Sequence, residues 1–139
     1  MNTAPRRIVV DASAWVIAII DQGTKGDAAR TALVGGESWV VPPHTQLEVL
    51  RTLVRLVRAG HMTAAQADVF ARVVVDADIA VVGPVPWLLE KVWSLREAVS
   101  MYDAPYLALA LELPARLVTA DLRLARGARA LGAEVLAVE

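Results

Sequence analysis

The chain has 139 residues, which is enough for one domain with a substantial core and too few for two ordinary domains. Its formal net charge is −1, so no global basic field attracts nucleic acid, and any nucleic-acid binding must be local. It contains no cysteine, which excludes disulfides, thiolate metal sites and cysteine nucleophiles. Residues 1–139 are therefore expected to form a single domain. The high apolar content of 56% also suggests that part of its surface is covered by a partner.

The apolar run at the start of the chain superficially resembles a targeting sequence. Arg6 and Arg7 precede residues 8–20, as basic residues precede the apolar part of a signal peptide. Asp11 interrupts this run, and no stretch of the sequence reaches the roughly 18 to 20 apolar residues of a membrane span. A soluble, cytoplasmic protein is expected.

Short apolar runs alternate with helix-like segments along the chain. The predicted strands cover residues 8–10, 38–41, 79–82, 116–119 and 134–138. The predicted helices cover residues 12–20, 27–34, 45–59, 63–75, 87–98, 103–113 and 122–131. This alternation predicts an α/β fold, in which a mainly parallel sheet of about 4–5 short strands is covered by helices on both faces.

Local signals support several of these boundaries. Residues 21–26 are rich in turn formers and are predicted to be a loop, and Gly35 and Gly36 are expected to end the helix that follows it. Gly60 stands just beyond the third helix, where glycine commonly ends a helix. Thr63 and Gln66 have the spacing of a capping box and predict the start of the fourth.

Four acidic residues stand at informative places in this pattern. Asp11 follows the first predicted strand and Asp121 follows the fourth. Ligands of parallel α/β folds bind at the carboxyl ends of the strands, so both acids are expected on that rim. Asp103 opens an alanine- and leucine-rich helix, and Glu48 lies near the start of the third helix.

Each of the four acids also fits a purely structural role. Three of them stand at helix starts, where short polar side chains accept free N–H groups: Asp11, Asp103 and Asp121. Ser13 is an alternative cap for the first helix, and Ser100 has capping-box spacing to Asp103. Glu48 shares a polar helix face with Arg51 and Arg55, where it could form an exposed ion pair.

Taken together, the acids indicate a different chemistry. Carboxylates that converge on one rim repel each other and have raised pKa values unless a cation neutralises them. Mg²⁺ and Mn²⁺ prefer carboxylate and water oxygens and need neither cysteine nor histidine. Such an ion can bind a phosphodiester, activate water and stabilise the leaving oxygen. The hypothesis is hydrolysis of a nucleic-acid backbone.

With these residues the sequence resembles the PIN-domain ribonucleases, and in particular the VapC-type toxins of toxin–antitoxin pairs. The resemblance covers nearly the whole chain and rests on motifs in the family's order: Asp11-Ala12-Ser13, Glu48 in a helix that opens after a proline, Tyr102-Asp103-Ala104 and Thr119-Ala120-Asp121. The stretch around Asp103 is the most specific of them. Pro105 departs from the small residue expected at its position, which affects the start of that helix rather than Asp103.

The resemblance implies a PIN-like three-layer α/β/α sandwich and a metal-dependent endoribonuclease that acts as a toxin. It implies that the catalytic, metal-binding acids are Asp11, Glu48, Asp103 and Asp121, with Ser13 and Thr119 as supporting hydroxyls. The implied cofactor is Mg²⁺ or Mn²⁺. The implied partners are an RNA substrate, a cognate antitoxin that inhibits the enzyme and a second copy of the chain.

Other residues carry weaker signals. Arg123 and Arg126 share one side of the last predicted helix, where they would meet either RNA phosphates or solvent. His44 and His61 are not spaced as a metal pair, and neither is predicted to be catalytic. The tryptophans are expected in the core or at an interface; they are Trp15, Trp39, Trp87 and Trp93.

Two alternative functions remain open at this point. A catalytically inactive PIN-like module would keep the fold and only bind a partner. A receiver-type signalling domain also arranges acids and Mg²⁺ over a parallel sheet, but it needs a lysine after a late strand. The only lysines are Lys25 and Lys91, and neither is at such a position.

Overall fold

The computed structural model describes residues 7–34 and 38–139. The strands are β1 (Arg7–Val10), β2 (Trp39–Val41), β3 (Ala80–Val81), β4 (Ala115–Thr119) and β5 (Val135–Ala137). The helices are α1 (Ala12–Ile20), α2 (Thr24–Leu33), α3 (Thr45–Arg58), α4 (Ala64–Val75), α5 (Pro86–Ser94), α6 (Ala104–Glu112) and α7 (Leu122–Ala130). The predicted α/β alternation is confirmed.

The strands form one five-stranded sheet in the order β3-β2-β1-β4-β5. All neighbouring strands are parallel, and Val10 at the end of β1 is level with Val118 of β4. The chain starts in the middle of the sheet, continues to one edge and then returns to build the other. The strand order therefore reverses between β1 and β4, and ligands of parallel sheets bind outside the carboxyl ends of the strands at such a point.

Helices cover both faces of the sheet because successive side chains of each strand point to opposite sides. Val9, Val40 and Leu117 pack in one apolar cluster with residues of α5, α6 and α7. Ile8, Val10 and their neighbours in the other strands pack in a second cluster with α1, α2, Val49 of α3 and Val74 of α4. The predicted three-layer α/β/α sandwich is thereby confirmed.

Several predicted boundaries are also confirmed. The Thr63 hydroxyl accepts the N–H of Gln66, and the Gln66 side chain accepts the N–H of Thr63, so the capping box is complete. Gly60 follows α3 with φ 79°, a left-handed conformation in which a side chain is strained. The stop predicted at Gly35 and Gly36 lies outside the described residues.

Two predicted helix boundaries are wrong. The second helix begins at Thr24 rather than at residue 27, because the Asp21 Oδ1 atom accepts the N–H groups of Gly23 at 2.7 Å and Gly26 at 3.1 Å. These bonds turn the presumed loop into the first turn of α2. The fifth helix begins at Pro86 and ends at Ser94, and hydrogen-bonded turns replace the predicted helical residues up to 98.

Gly26 lies against the backbone of the preceding turn. A Cβ atom built on it would lie 1.8 Å from the carbonyl oxygen of Asp21. The Arg30 guanidinium donates to the same oxygen at 2.7 Å and to the carbonyl of Ala18 at 2.9 Å. The corner between α1 and α2 therefore depends on a glycine at position 26.

None of the helices in the described part of the chain is both long and apolar enough to cross a membrane.

Candidate active site

Asp11 lies at the turn between β1 and α1, on the predicted rim. It is buried, with 6% of its surface exposed. Its Oδ2 atom accepts hydrogen bonds from the hydroxyls of Ser13 at 2.5 Å and Thr119 at 2.6 Å. Although Asp11 occupies the N-cap position of α1, its side chain makes no capping bond. The capping alternative for Asp11 is therefore wrong, and two hydroxyls fix its carboxylate instead.

The two hydroxyls also join the ends of β1 and β4. The Ser13 hydroxyl accepts the backbone N–H of Ala120 at 3.0 Å, and the Thr119 hydroxyl accepts that of Asp121 at 3.0 Å. Each hydroxyl thus donates to Asp11 and accepts from the chain that follows β4. Ser13 does not cap α1, so that alternative is wrong as well.

Burial raises the pKa of Asp11 above its ordinary value of 3.8, and the two hydroxyl hydrogen bonds partly oppose this rise. The negative charges of Glu48 and Asp103 raise the pKa further. Three of the predicted acids are therefore close enough for their charges to interact: Asp11, Glu48 and Asp103.

Asp121 acts as a helix cap. Its Oδ1 atom accepts the N–H groups of Arg123 at 3.0 Å and Leu124 at 3.2 Å, at the start of α7. The capping alternative for Asp121 is confirmed. Its backbone is still linked to Asp11, because its N–H donates to the Thr119 hydroxyl, which in turn donates to the Asp11 carboxylate.

Asp103 occupies the N-cap position of α6, and its side chain makes no capping bond. Its backbone N–H is instead bound by the hydroxyl of Ser100 at 3.2 Å. Asp103 borders two clefts. One, of about 270 Å³, is also lined by Glu97, Ser100 and Arg123. The other, of about 530 Å³, extends along α3 past Glu48.

Glu48 is paired with His44 rather than with an arginine. The Nε2 atom of His44 lies 3.0 Å from the Oε1 atom of Glu48 and 3.0 Å from the carbonyl oxygen of Tyr102. The hydrogen bond to Glu48 raises the pKa of His44, burial opposes that rise, and the Tyr102 carbonyl adds to it. The ion pair with Arg51 or Arg55 is absent among the described residues, so that alternative is wrong.

Tyr106 and Thr45 form a buried polar contact beside these residues. The Thr45 hydroxyl donates to the Tyr106 hydroxyl oxygen at 2.9 Å, and the Tyr106 ring packs edge-on against His44 at 5.2 Å. Burial raises the pKa of the Tyr106 phenol well above its ordinary value. The phenol is therefore neutral and supports the His44 ring.

The PIN domain family model matches residues 8–130 of the chain. The chain belongs to the PIN-domain family. It is 38% identical over 121 residues to ribonuclease VapC9 of Mycobacterium tuberculosis, covering 84% of this chain and 87% of that one. It is 34% identical over 125 residues to ribonuclease VapC3 of the same organism, covering 90% of each chain. These relatives confirm the resemblance to VapC-type PIN domains, and the receiver-type alternative is set aside.

The fold also resembles that of a solved structure. The crystal structure of PAE2754 from Pyrobaculum aerophilum matches with a TM-score of 0.68 and 23% sequence identity, over 94% of this chain and 83% of that one. At this identity the likeness concerns the fold. It agrees with the parallel sheet and the helical layers described above.

The negative charge of these acids favours a divalent cation, but their carboxylates are too far apart for three of them to ligate one ion directly. Asp11, Asp103 and Asp121 form no ion pair with any described arginine or lysine, so a hard cation would supply the missing positive charge. Within residues 7–34 and 38–139, however, no three acidic or histidine side chains are close enough to ligate one ion together. Mg²⁺ often keeps several water ligands and binds one or two carboxylates, and this donor set fits that mode.

His44 is the residue of this site that the sequence analysis missed. A signal for it existed, because His44 and Glu48 are four residues apart and therefore on one face of α3. Of the two arginines predicted on α7, Arg123 lines the smaller cleft, whereas Arg126 is exposed and does not line it.

Proposed function

We propose that this PIN-domain protein is a metal-dependent endoribonuclease and the toxin of a toxin–antitoxin pair. The observation that carries the proposal is the buried Asp11, which lies at the reversal point of the sheet beside the charges of Glu48 and Asp103. Family membership supports the reaction class, because relatives of this chain are named ribonucleases. Residues 1–139 are proposed to form a single PIN domain.

The proposed catalytic acids are Asp11, Glu48, Asp103 and Asp121. One or two of their carboxylates would ligate Mg²⁺ or Mn²⁺ directly, and the others would contact its water ligands. Such an ion supplies the activation of water and the stabilisation of the leaving oxygen. Ser13 and Thr119 orient the Asp11 carboxylate through the hydrogen bonds to Oδ2. His44 orients Glu48. Asp121 holds the start of α7, and Arg123 at that start binds a backbone phosphate of the RNA. Arg126 lies one turn further along α7 and serves the same purpose less directly.

The antitoxin is proposed to bind the apolar groove between α3 and α4. This groove of about 310 Å³ is lined by Leu50, Val54, Val57 and Ala67, among others. Val54 is 47% exposed in this groove. An apolar segment of the antitoxin would cover these side chains, and a basic residue next to it would reach the acids and inhibit the enzyme by competing with the cation.

A homodimer is proposed to form through α5. Leu89 and Trp93 are 52% and 63% exposed and lie four residues apart on one face of this helix. Replacing Trp93 with glutamate should convert a dimer to a monomer in light-scattering measurements of the molar mass. A wild-type protein that is already a monomer at micromolar concentration would contradict the dimer.

The proposed reaction is tested by incubating the purified protein with total cellular RNA in Mg²⁺, in Mn²⁺ and in EDTA. Cleavage is expected only with a metal and should be lost in Asp103→Asn. Asp78→Asn is the matched control. Asp78 is exposed and lies just before the amino end of β3, whereas the candidate site lies at the carboxyl ends of the strands. Absence of cleavage under every condition, with a folded protein by circular dichroism, would favour the inactive partner-binding module.

His44→Ala is expected to lower kcat/KM by about 10- to 100-fold, the usual cost of losing a group that orients a catalytic ligand. The circular dichroism spectrum should not change, because the side chain of His44 is only half-buried. His61→Ala is the control, since His61 is exposed and lies beyond the end of α3. Equal activity of the two variants would show that Glu48 does not need His44.

A further inference from the structure

The larger cleft beside Asp103 contains two arginines with no assigned role. Its lining includes Glu48, Arg51, Arg55, Tyr102 and Asp103. Arg51 and Arg55 are exposed, and neither forms an ion pair or a hydrogen bond with another side chain in the described part of the molecule. Their charges are therefore available to a ligand that enters the cleft.

The two arginines are arranged in a row that leads away from the acids. They are four residues apart on α3, so their Cβ atoms are separated by about 6 Å on one helix face. Glu48 lies on the same helix one turn before Arg51. An extended polyanion bound at the acids would therefore meet Arg51 first and Arg55 next. Planar guanidinium groups suit contacts to phosphate.

Tyr102 lines this cleft and precedes Asp103 in the sequence. It is 77% exposed, the largest exposed fraction among the large apolar and aromatic side chains of the described residues. Its backbone is nevertheless held, because its carbonyl accepts the hydrogen bond from His44 at 3.0 Å. An exposed aromatic ring on a fixed backbone next to a nuclease centre is suited to stack on a nucleic-acid base.

The smaller cleft also reaches Asp103. Arg123 lines it, and Asp103 is common to both clefts. A strand of RNA that crosses the acids can thus meet Arg123 on one side and the arginines of α3 on the other. Arginines therefore line both clefts that Asp103 borders, although the chain as a whole carries a net charge of −1.

We propose that Arg51 and Arg55 bind successive backbone phosphates of the RNA on one side of the scissile bond, and that Tyr102 stacks on an unpaired base beside that bond. This inference rests on the proposed endoribonuclease function and specifies how the substrate lies in the site. Both faces of a base inside a duplex are covered by its stacked neighbours, so Tyr102 can stack only on a base of a single-stranded segment. The segment that is cut is therefore single-stranded. Arg123 contacts the RNA on the opposite side of the cut.

The test is binding of a fluorescently labelled single-stranded RNA to the Asp103→Asn protein, which is expected to leave the RNA intact. Fluorescence anisotropy is measured over a range of salt concentrations. Arg51→Ala and Arg55→Ala should each reduce the slope of log K against log salt by about 0.7, the value for one phosphate contact on a single strand. Arg7→Ala is the matched control. Arg7 is exposed and lies at the amino end of β1, whereas the acids lie at the carboxyl ends of the strands.

Tyr102→Ala should weaken binding by about 5- to 150-fold without changing that slope, which corresponds to the loss of one stacked base. Tyr102→Phe should bind with the same affinity as the protein that keeps Tyr102, because the aromatic ring is retained. A duplex of the same sequence should bind equally well to the protein that keeps Tyr102 and to the Tyr102→Ala variant. In the otherwise wild-type enzyme, Arg51→Ala should raise KM and leave kcat unchanged, since Arg51 contacts a phosphate away from the reacting bond.

The inference would be overturned if Arg51→Ala and Arg55→Ala had the same salt slope as Arg7→Ala, or if Tyr102→Ala bound single-stranded RNA as tightly as the unsubstituted protein. A failure of the proposed endoribonuclease function can be distinguished from a failure of the proposed RNA path. A wild-type protein that binds RNA through these residues and cleaves none would contradict the endoribonuclease while supporting the RNA path.

Discussion

Replacing Asp11 with asparagine is expected to abolish RNA cleavage and, in the same protein, to raise the free energy of unfolding in the absence of metal. The loss of activity should exceed about 100-fold, because Asp11 acts more directly than the supporting groups whose removal costs about 10- to 100-fold. The gain in stability has an electrostatic origin. Asp11 is buried beside the charges of Glu48 and Asp103, and burial is the largest cause of its raised pKa.

The sign follows from proton linkage. Since the folded-state pKa lies above 3.8, the folded protein binds more protons than the unfolded chain between these two pKa values. The contribution of Asp11 to the stability of the wild-type protein therefore falls as the pH rises from about 3.8 through the raised pKa, and the loss persists at neutral pH. Asparagine carries no charge, and its amide oxygen can still accept the hydroxyls of Ser13 and Thr119. The expected gain is about 0.5 to 2 kcal/mol, the usual range for a stabilising substitution.

Thermal unfolding in EDTA at pH 4 and at pH 7 measures this effect. The difference in Tm between Asp11→Asn and wild type should be larger at pH 7, and added Mg²⁺ should raise the Tm of the wild type but not that of Asp11→Asn. Asp78→Asn is the control for removal of a carboxylate, and its Tm should match the wild type in each condition. A variant less stable than wild type at pH 7 would show that the Asp11 charge is already compensated within the protein.

Replacing Gly26 with alanine is expected to destabilise the fold by about 3 kcal/mol or more, the upper end of the range for overpacked sites. The added Cβ would overlap the Asp21 carbonyl, which is backbone and already accepts a hydrogen bond from Arg30. The corner between α1 and α2 would have to open. Opening it would disturb the helix that begins directly after Asp11.

The measurement is urea unfolding of Gly26→Ala beside Gly127→Ala, which is the matched control. Gly127 is also helical, but the nearest atom to a Cβ at that position is the Val99 Cγ1 atom at 3.7 Å, an ordinary contact. Gly127→Ala should therefore be neutral or more stable by up to about 1 kcal/mol, from helix propensity alone. Equal stabilities of the two variants would show that the corner adapts without cost.

The strands and most helices could be predicted because their signals are local. Alternation of apolar runs locates β1 and β4, and a capping box locates the start of α4. The start of α2 could not be predicted in this way, since it depends on the Asp21 side chain reaching two backbone N–H groups. In a sequence, that stretch of glycine and polar residues has the same composition as a loop.

The site shows a similar division. The position of Asp11 after a buried strand predicted its place on the rim, because the ends of parallel strands share one edge. The environments of the acids could not be predicted, because they depend on contacts between distant segments. The carbonyl that fixes His44 belongs to Tyr102, 58 residues away, and the sequence contains no sign of that contact. Whether an aspartate caps a helix or faces a cleft likewise depends on side-chain geometry, which differs between Asp103 and Asp121.

The central position of β1 determines when during synthesis the candidate site can be completed. Asp11 is held by Thr119, which follows it by 108 residues, and β1 cannot gain its β4 neighbour before that part of the chain exists. A nascent chain on the ribosome therefore carries an unsupported Asp11 for most of its translation. The proposed endoribonuclease site is therefore assembled only near the end of synthesis.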